Sequence, residues 1–113
     1  MNAADIIANL GALSWELTQH LTDYKRLNLD AAKARRAYKV AFAGSVLRGE
    51  GPMELRKAAA TVATADLLLA MEIAEAEFDN CRAELRVTGQ RLDSGRTIAS
   101  TIRSDQFASG SGT

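Results

Sequence analysis

From Leu67 to Ile102, apolar or small side chains recur in unbroken steps of four and three. The row is Leu67, Met71, Ala74, Phe78, Cys81, Leu85, Thr88, Leu92, Gly95, Ala99 and Ile102. This spacing is a heptad seam on one face of a long helix. A second apolar set, Val62, Leu69, Ile73 and Ala76, falls on a different face of the same segment. The first half of the chain carries a weaker seam of Leu17, Leu21, Tyr24, Ala31, Tyr38 and Phe42, with Asn28 and Arg35 at two interrupted positions. Ahead of it, "NAADIIANLGAL" predicts a short helix, with Asn2 as N-cap and Asp5 three residues on. Between the halves lies "GSVLRGEGPMEL", where Gly49 and Gly51 permit a turn and Pro52 opens the next helix. No alternating run bounded by turn residues reads as a strand.

The expected fold is all-α, a long antiparallel helical hairpin with a short N-terminal helix, a coiled-coil-like seam and an oligomeric state. Its helices span about 3–12, 14–47 and 52–104 within one domain, 1–107. The Gly/Ser-rich end, 108–113, reads as a disordered tail. A hairpin pivoting near residue 50 sets Tyr38 against Val62, Tyr24 against Ala76 and Leu17 against Ala83. That pairing uses one apolar face of the second helix and leaves the long seam over. The expected oligomer interface is therefore Leu67, Met71, Phe78, Cys81, Leu85, Leu92, Ala99 and Ile102.

Composition narrows the function classes. One cysteine builds no disulfide framework, and one histidine with one cysteine builds no zinc site, so neither metal nor cofactor is expected. His20 has no carboxylate or nucleophile at a recognised catalytic spacing, Cys81 sits on the apolar seam, and "GSVLRGEG" lacks the phosphate-loop ending. The protein reads as non-enzymatic. With no long uncharged apolar run and no leader pattern, it is expected to be cytoplasmic, with no membrane partner.

The net charge of zero hides segregation. Residues 25–57 carry nine Lys/Arg against three Asp/Glu, residues 66–84 six acids against Arg82, and residues 86–103 four arginines against Asp93. At about 100° per residue, Arg82, Arg86, Arg96 and Arg103 form one stripe beside the seam, with Gly89, Asp93 and Ser100. Lys33, Arg35, Arg36 and Lys39 form a second cluster. Arginine's planar fork suits phosphate, so a polyanion is the functional reading; solvated faces or interhelical ion pairs are the structural one. Aromatic residues are few and mostly on seams, which favours sequence-indifferent backbone contact over base stacking.

The basic helix "AAKARRAYKVAFAGSVLRGEG", the turn, the long second helix and the ending "LDSGRTIASTIRSDQF" together resemble the UvsY-type bacteriophage recombination mediators. The resemblance covers roughly Leu17 to Phe107. It implies a ring-like homo-oligomer that binds single-stranded DNA and helps load a recombinase in place of a single-strand-binding protein. By position, Lys33, Arg35, Arg36 and Lys39 correspond to the family's basic helix, and Arg96 and Arg103 to its carboxy-terminal part. If phage-encoded, the chain would act in the host cytoplasm. The alternative is a structural, assembly or adaptor hairpin without nucleic-acid binding. A resemblance to helical-hairpin secretion substrates rests on Phe42-Ala43-Gly44 alone, since neither Tyr24 nor Tyr38 begins their Tyr-x-x-x-Asp/Glu signal.

Overall fold

The computed structural model describes residues 2–111, and side chains as far as residue 105. It is all-helical over those residues: α1 spans Ala3–Arg48, α2 Met53–Ala63 and α3 Ala65–Ser111. The Asn2 cap forms as expected. The Asp5 amide donates to Asn2 Oδ1 at 2.9 Å, and the Asn2 amide to Asp5 Oδ2 at 3.4 Å, the reciprocal pattern of a capping box. The expected break after residue 12 is absent. A mid-helix glycine costs only about 1 kcal/mol, too little at Gly11 to stop so long a helix.

The expected second helix is interrupted instead at Thr64. Its hydroxyl donates to the Ala60 carbonyl at 2.7 Å while its φ and ψ, −110° and 13°, leave the helical range. A buried threonine that bonds back four residues competes with the regular ladder, a device that bends or breaks helices. At the turn, Gly51 takes a φ of +89°, which favours glycine. Pro52 caps α2 from outside with ψ 152°, one residue earlier than its expected helical position. The backbone stays helical to Ser111, and the last two residues of the expected tail lie outside the described residues.

The chain divides into two compact units, residues 24–81 and residues 1–23 with 82–113. In the first, α1 and α3 pack antiparallel through Leu27, Ala31, Ala34 and Tyr38 on one side and Met71, Ala74 and Phe78 on the other. Ala31 and Ala60 are sealed from solvent, and the rings of Tyr24 and Phe78 meet at 5.1 Å, tilted by 49°. In the second, Ile6, Thr88 and Leu92 are buried, flanked by half-buried Leu10, Leu13, Leu17, Leu85, Ala99 and Ile102.

The expected pairing is therefore off by one face. Tyr24 meets Phe78 rather than Ala76, and Val62, Ala76 and Ala83 are exposed. The seam expected to be left over is covered within the chain from Met71 onward, with Cys81 and Leu92 buried, while Leu67 at its start is exposed. On α1, Leu17, Tyr24, Ala31, Tyr38 and Phe42 of the expected row are buried or half-buried, Leu21 is exposed, and His20, Leu27, Ala34 and Ala41 join the packed face. Asn28 and Arg35, the two interrupted positions, are exposed.

Candidate nucleic-acid interface

In the unit formed by 1–23 and 82–113, the arginine stripe is one residue past each buried seam position of α3. Arg82, Arg86, Gly89, Asp93, Arg96, Ser100 and Arg103 follow Cys81, Leu85, Thr88, Leu92, Gly95, Ala99 and Ile102 in steps of four and three. A single residue turns a helix by about 100°, which carries most of this row out of the packed face. Gly89 is half-buried, and the other six are exposed. From Arg82 to Arg103 the row extends roughly 30 Å at 1.5 Å per residue. Asp93 is its only acid, and Arg96 Nη1 stands 4.0 Å from Asp93 Oδ1 with both side chains well exposed. An ion pair so open to water is worth little, and it leaves the guanidinium available.

Two apolar recesses accompany the row. One of about 430 Å³ is lined by Ile6, Leu10, Leu13, Val87, Gly95 and Ile98 with Arg91 at its edge. A smaller one of about 210 Å³ lies between Ile6, Leu10, Ala99 and Ile102, with Arg103 on its rim. Arg91 thus belongs to this surface although it lies off the stripe. A reading by helical spacing misses it, because its position follows from the groove between helices rather than from α3 alone. A methyl group at Gly95 would stand 2.7 Å from Leu10 Cδ2, so the glycine in this stretch permits close helix approach.

His20 lies between two glutamates. Its Nε2 is 3.5 Å from Glu16 Oε1 and its Nδ1 3.4 Å from Glu84 Oε2. Glu16, four residues earlier, was visible as a helical neighbour; Glu84 comes from the fold. No group of three His, Cys, Asp or Glu side chains among the described residues is placed to hold a metal ion.

In the unit formed by 24–81, the first-helix cluster divides. Arg35 Nε donates to Glu75 Oε1 at 3.0 Å, the interhelical ion pair that the structural reading of this cluster anticipates. Lys33, Arg36 and Lys39 are exposed and make no ion pair among the described residues. Among the described residues, no helix is long and apolar enough to cross a membrane. The chain matches no protein-family model, no characterised protein and no solved structure.

Proposed function

We propose that the protein is a non-enzymatic, UvsY-type recombination mediator that binds single-stranded DNA without sequence preference as a ring-like homo-oligomer and assists recombinase loading. The observation that supports it is the exposed row of Arg82, Arg86, Arg96 and Arg103, with one acid along its length. Each arginine can donate two parallel hydrogen bonds to phosphate oxygens. No exposed aromatic lies in the row to stack on bases, so the strand is held by its backbone. One protomer supplies a few weak contacts, and assembly multiplies them by raising effective concentration. Such binding is reversible, which suits a protein that must yield the strand to a recombinase. A single-strand-binding protein would be the competitor on the same strand.

Fluorescence anisotropy with a labelled oligonucleotide tests this. The variant Arg86→Ala, Arg96→Ala, Arg103→Ala is expected to bind at least tenfold more weakly, with a salt slope reduced by about two, since each lost phosphate contact removes roughly 0.7 from the single-strand slope. Equal titrations for the variant and the parent would sink the reading. The rival, an assembly or adaptor hairpin without nucleic-acid binding, is favoured by the Arg35–Glu75 pair and by the exposed Val62, Leu69 and Ile73. It predicts that the parent itself ignores the oligonucleotide.

A further inference from the structure

The unit formed by 24–81 has two outward faces of opposite character. On α1 the packed row is Leu27, Ala31, Ala34 and Tyr38, and two residues past each member come Leu29, Lys33, Arg36 and Val40. Two residues rotate a helix by about 200°, so this second row faces directly away from α3. Leu29 is 54% and Val40 61% exposed. On the other helix the relation repeats. Two residues past Met71 and Ala74 come Ile73 and Ala76, with Leu69 four residues before Ile73 and the exposed acids Asp66 and Glu72 alongside. Leu69 is 56% and Ile73 50% exposed.

Both faces are apolar rows interrupted by charge, and the charges differ in sign. From Tyr24 to Arg48, α1 holds seven Lys/Arg against Asp30 alone; from Ala65 to Cys81, α3 holds five acids and no base. Lys33, Arg36, Asp66 and Glu72 make no ion pair among the described residues. Exposed leucine, isoleucine and valine at helix-packing spacing mark an interaction surface, and the charge states which surface fits it.

We propose that the basic outward face of α1 in one copy docks on the acidic outward face of α3 in the next, head to tail. This rests on the self-associating form of the reading above and names its contact. The expected interface along the long seam is replaced by the opposite face, because the seam is used within the chain. Leu29 and Val40 on one face and Leu69 and Ile73 on the other supply the apolar part of the contact, and Lys33 and Arg36 complement Asp66 and Glu72 in charge. Two different surfaces joined in this way are heterologous, so copies close into a ring or extend as a filament. Like faces repel, which excludes the face-to-face pair and sets the direction of assembly.

Charge reversal on the full chain tests it by sedimentation velocity, with circular dichroism to show that helix content is kept. Lys33→Glu with Arg36→Glu makes both faces acidic, and Asp66→Lys with Glu72→Lys makes both basic. Each variant alone is expected to sediment at the mass of one chain, and an equimolar mixture to regain the parent's assembly. Assembly of either variant alone at the parent's size, or a mixture that stays at single-chain mass, overturns the proposal. The DNA reading fails separately. A parent that assembles but ignores the oligonucleotide leaves this contact standing, and a parent that binds DNA as single chains removes the contact.

Discussion

The two units solve the same packing problem with different side chains. Residues 24–81 close their helices over alanines, with Ala31 2% and Ala60 0% exposed, and brace them with the Tyr24–Phe78 ring pair. Residues 1–23 and 82–113 use Ile6, Leu10 and Leu92 instead, and recesses of about 430 and 210 Å³ stay open beside Ile6 and Leu10. Small residues bring backbones together and leave nothing to fill. Large residues at the same spacing hold backbones apart and leave grooves between them. The unit of residues 24–81 is thus tightly packed, with opposed charges on its outward faces, and the unit of residues 1–23 and 82–113 is looser, with the arginines on its flank.

The largest effect that tests this contrast is Leu92→Ala. Leu92 is almost wholly buried, and the loss should be about 2–5 kcal/mol. If the units differ as described, hydrogen exchange should show residues 3–23 and 82–105 losing protection first, with 24–81 retaining theirs. Trp15, the single tryptophan, lies in the weakened unit and supplies a fluorescence signal for it. Uniform loss of protection along the whole chain would break the comparison. Next in size is overpacking. Ala31→Leu should cost about 1–3 kcal/mol in urea denaturation, since no space exists to receive it. Leu13→Phe, beside the larger groove, should fall within about 1.5 kcal/mol of the parent. Equal costs would mean that the groove is not usable space.

The helical class, the capped start, the turn at Gly51 and the α3 seam are legible in the residues, because each depends on local spacing or backbone chemistry. The α1 row is legible in most of its members, Leu17, Tyr24, Ala31, Tyr38 and Phe42; at Leu21, which is exposed beside half-buried His20, hydrophobicity alone points the wrong way. The leftover face depends on the pivot. A turn centred at residue 50 pairs Tyr24 with Ala76, whereas the ring contact of Tyr24 with Phe78 centres it at residue 51. Two residues turn α3 by about 200°, enough to exchange the packed face for the opposite one. The exposed arginine row was legible because it needed only α3; Arg91 and Glu84 were not, because each gains its role from the other helix.

Glycines give a smaller contrast within one unit. A methyl group at Gly89 would meet nothing within 4 Å, so Gly89→Ala should stabilise by about 0.5–1 kcal/mol through helix propensity. At Gly95 the same methyl would press on Leu10, which must leave its rotamer at a cost of similar size. Thermal melts should therefore place Gly89→Ala above the parent and Gly95→Ala at or below it. Two equal rises would show that Leu10 moves freely into the adjoining recess, and that the close approach at Gly95 constrains nothing.

The smallest expected effect is the Arg35–Glu75 coupling. It is a direct bond of 3.0 Å, but both side chains are more than a third exposed, so screening limits it. A double-mutant cycle with Arg35→Ala and Glu75→Ala should return about 0.2–1 kcal/mol at low salt and less as salt rises. A coupling near zero would mean that residues 24–81 are held by apolar and ring contacts alone. The opposed charges of α1 and α3 would then contribute nothing inside the unit, and their segregation would be left entirely to surfaces that face other molecules.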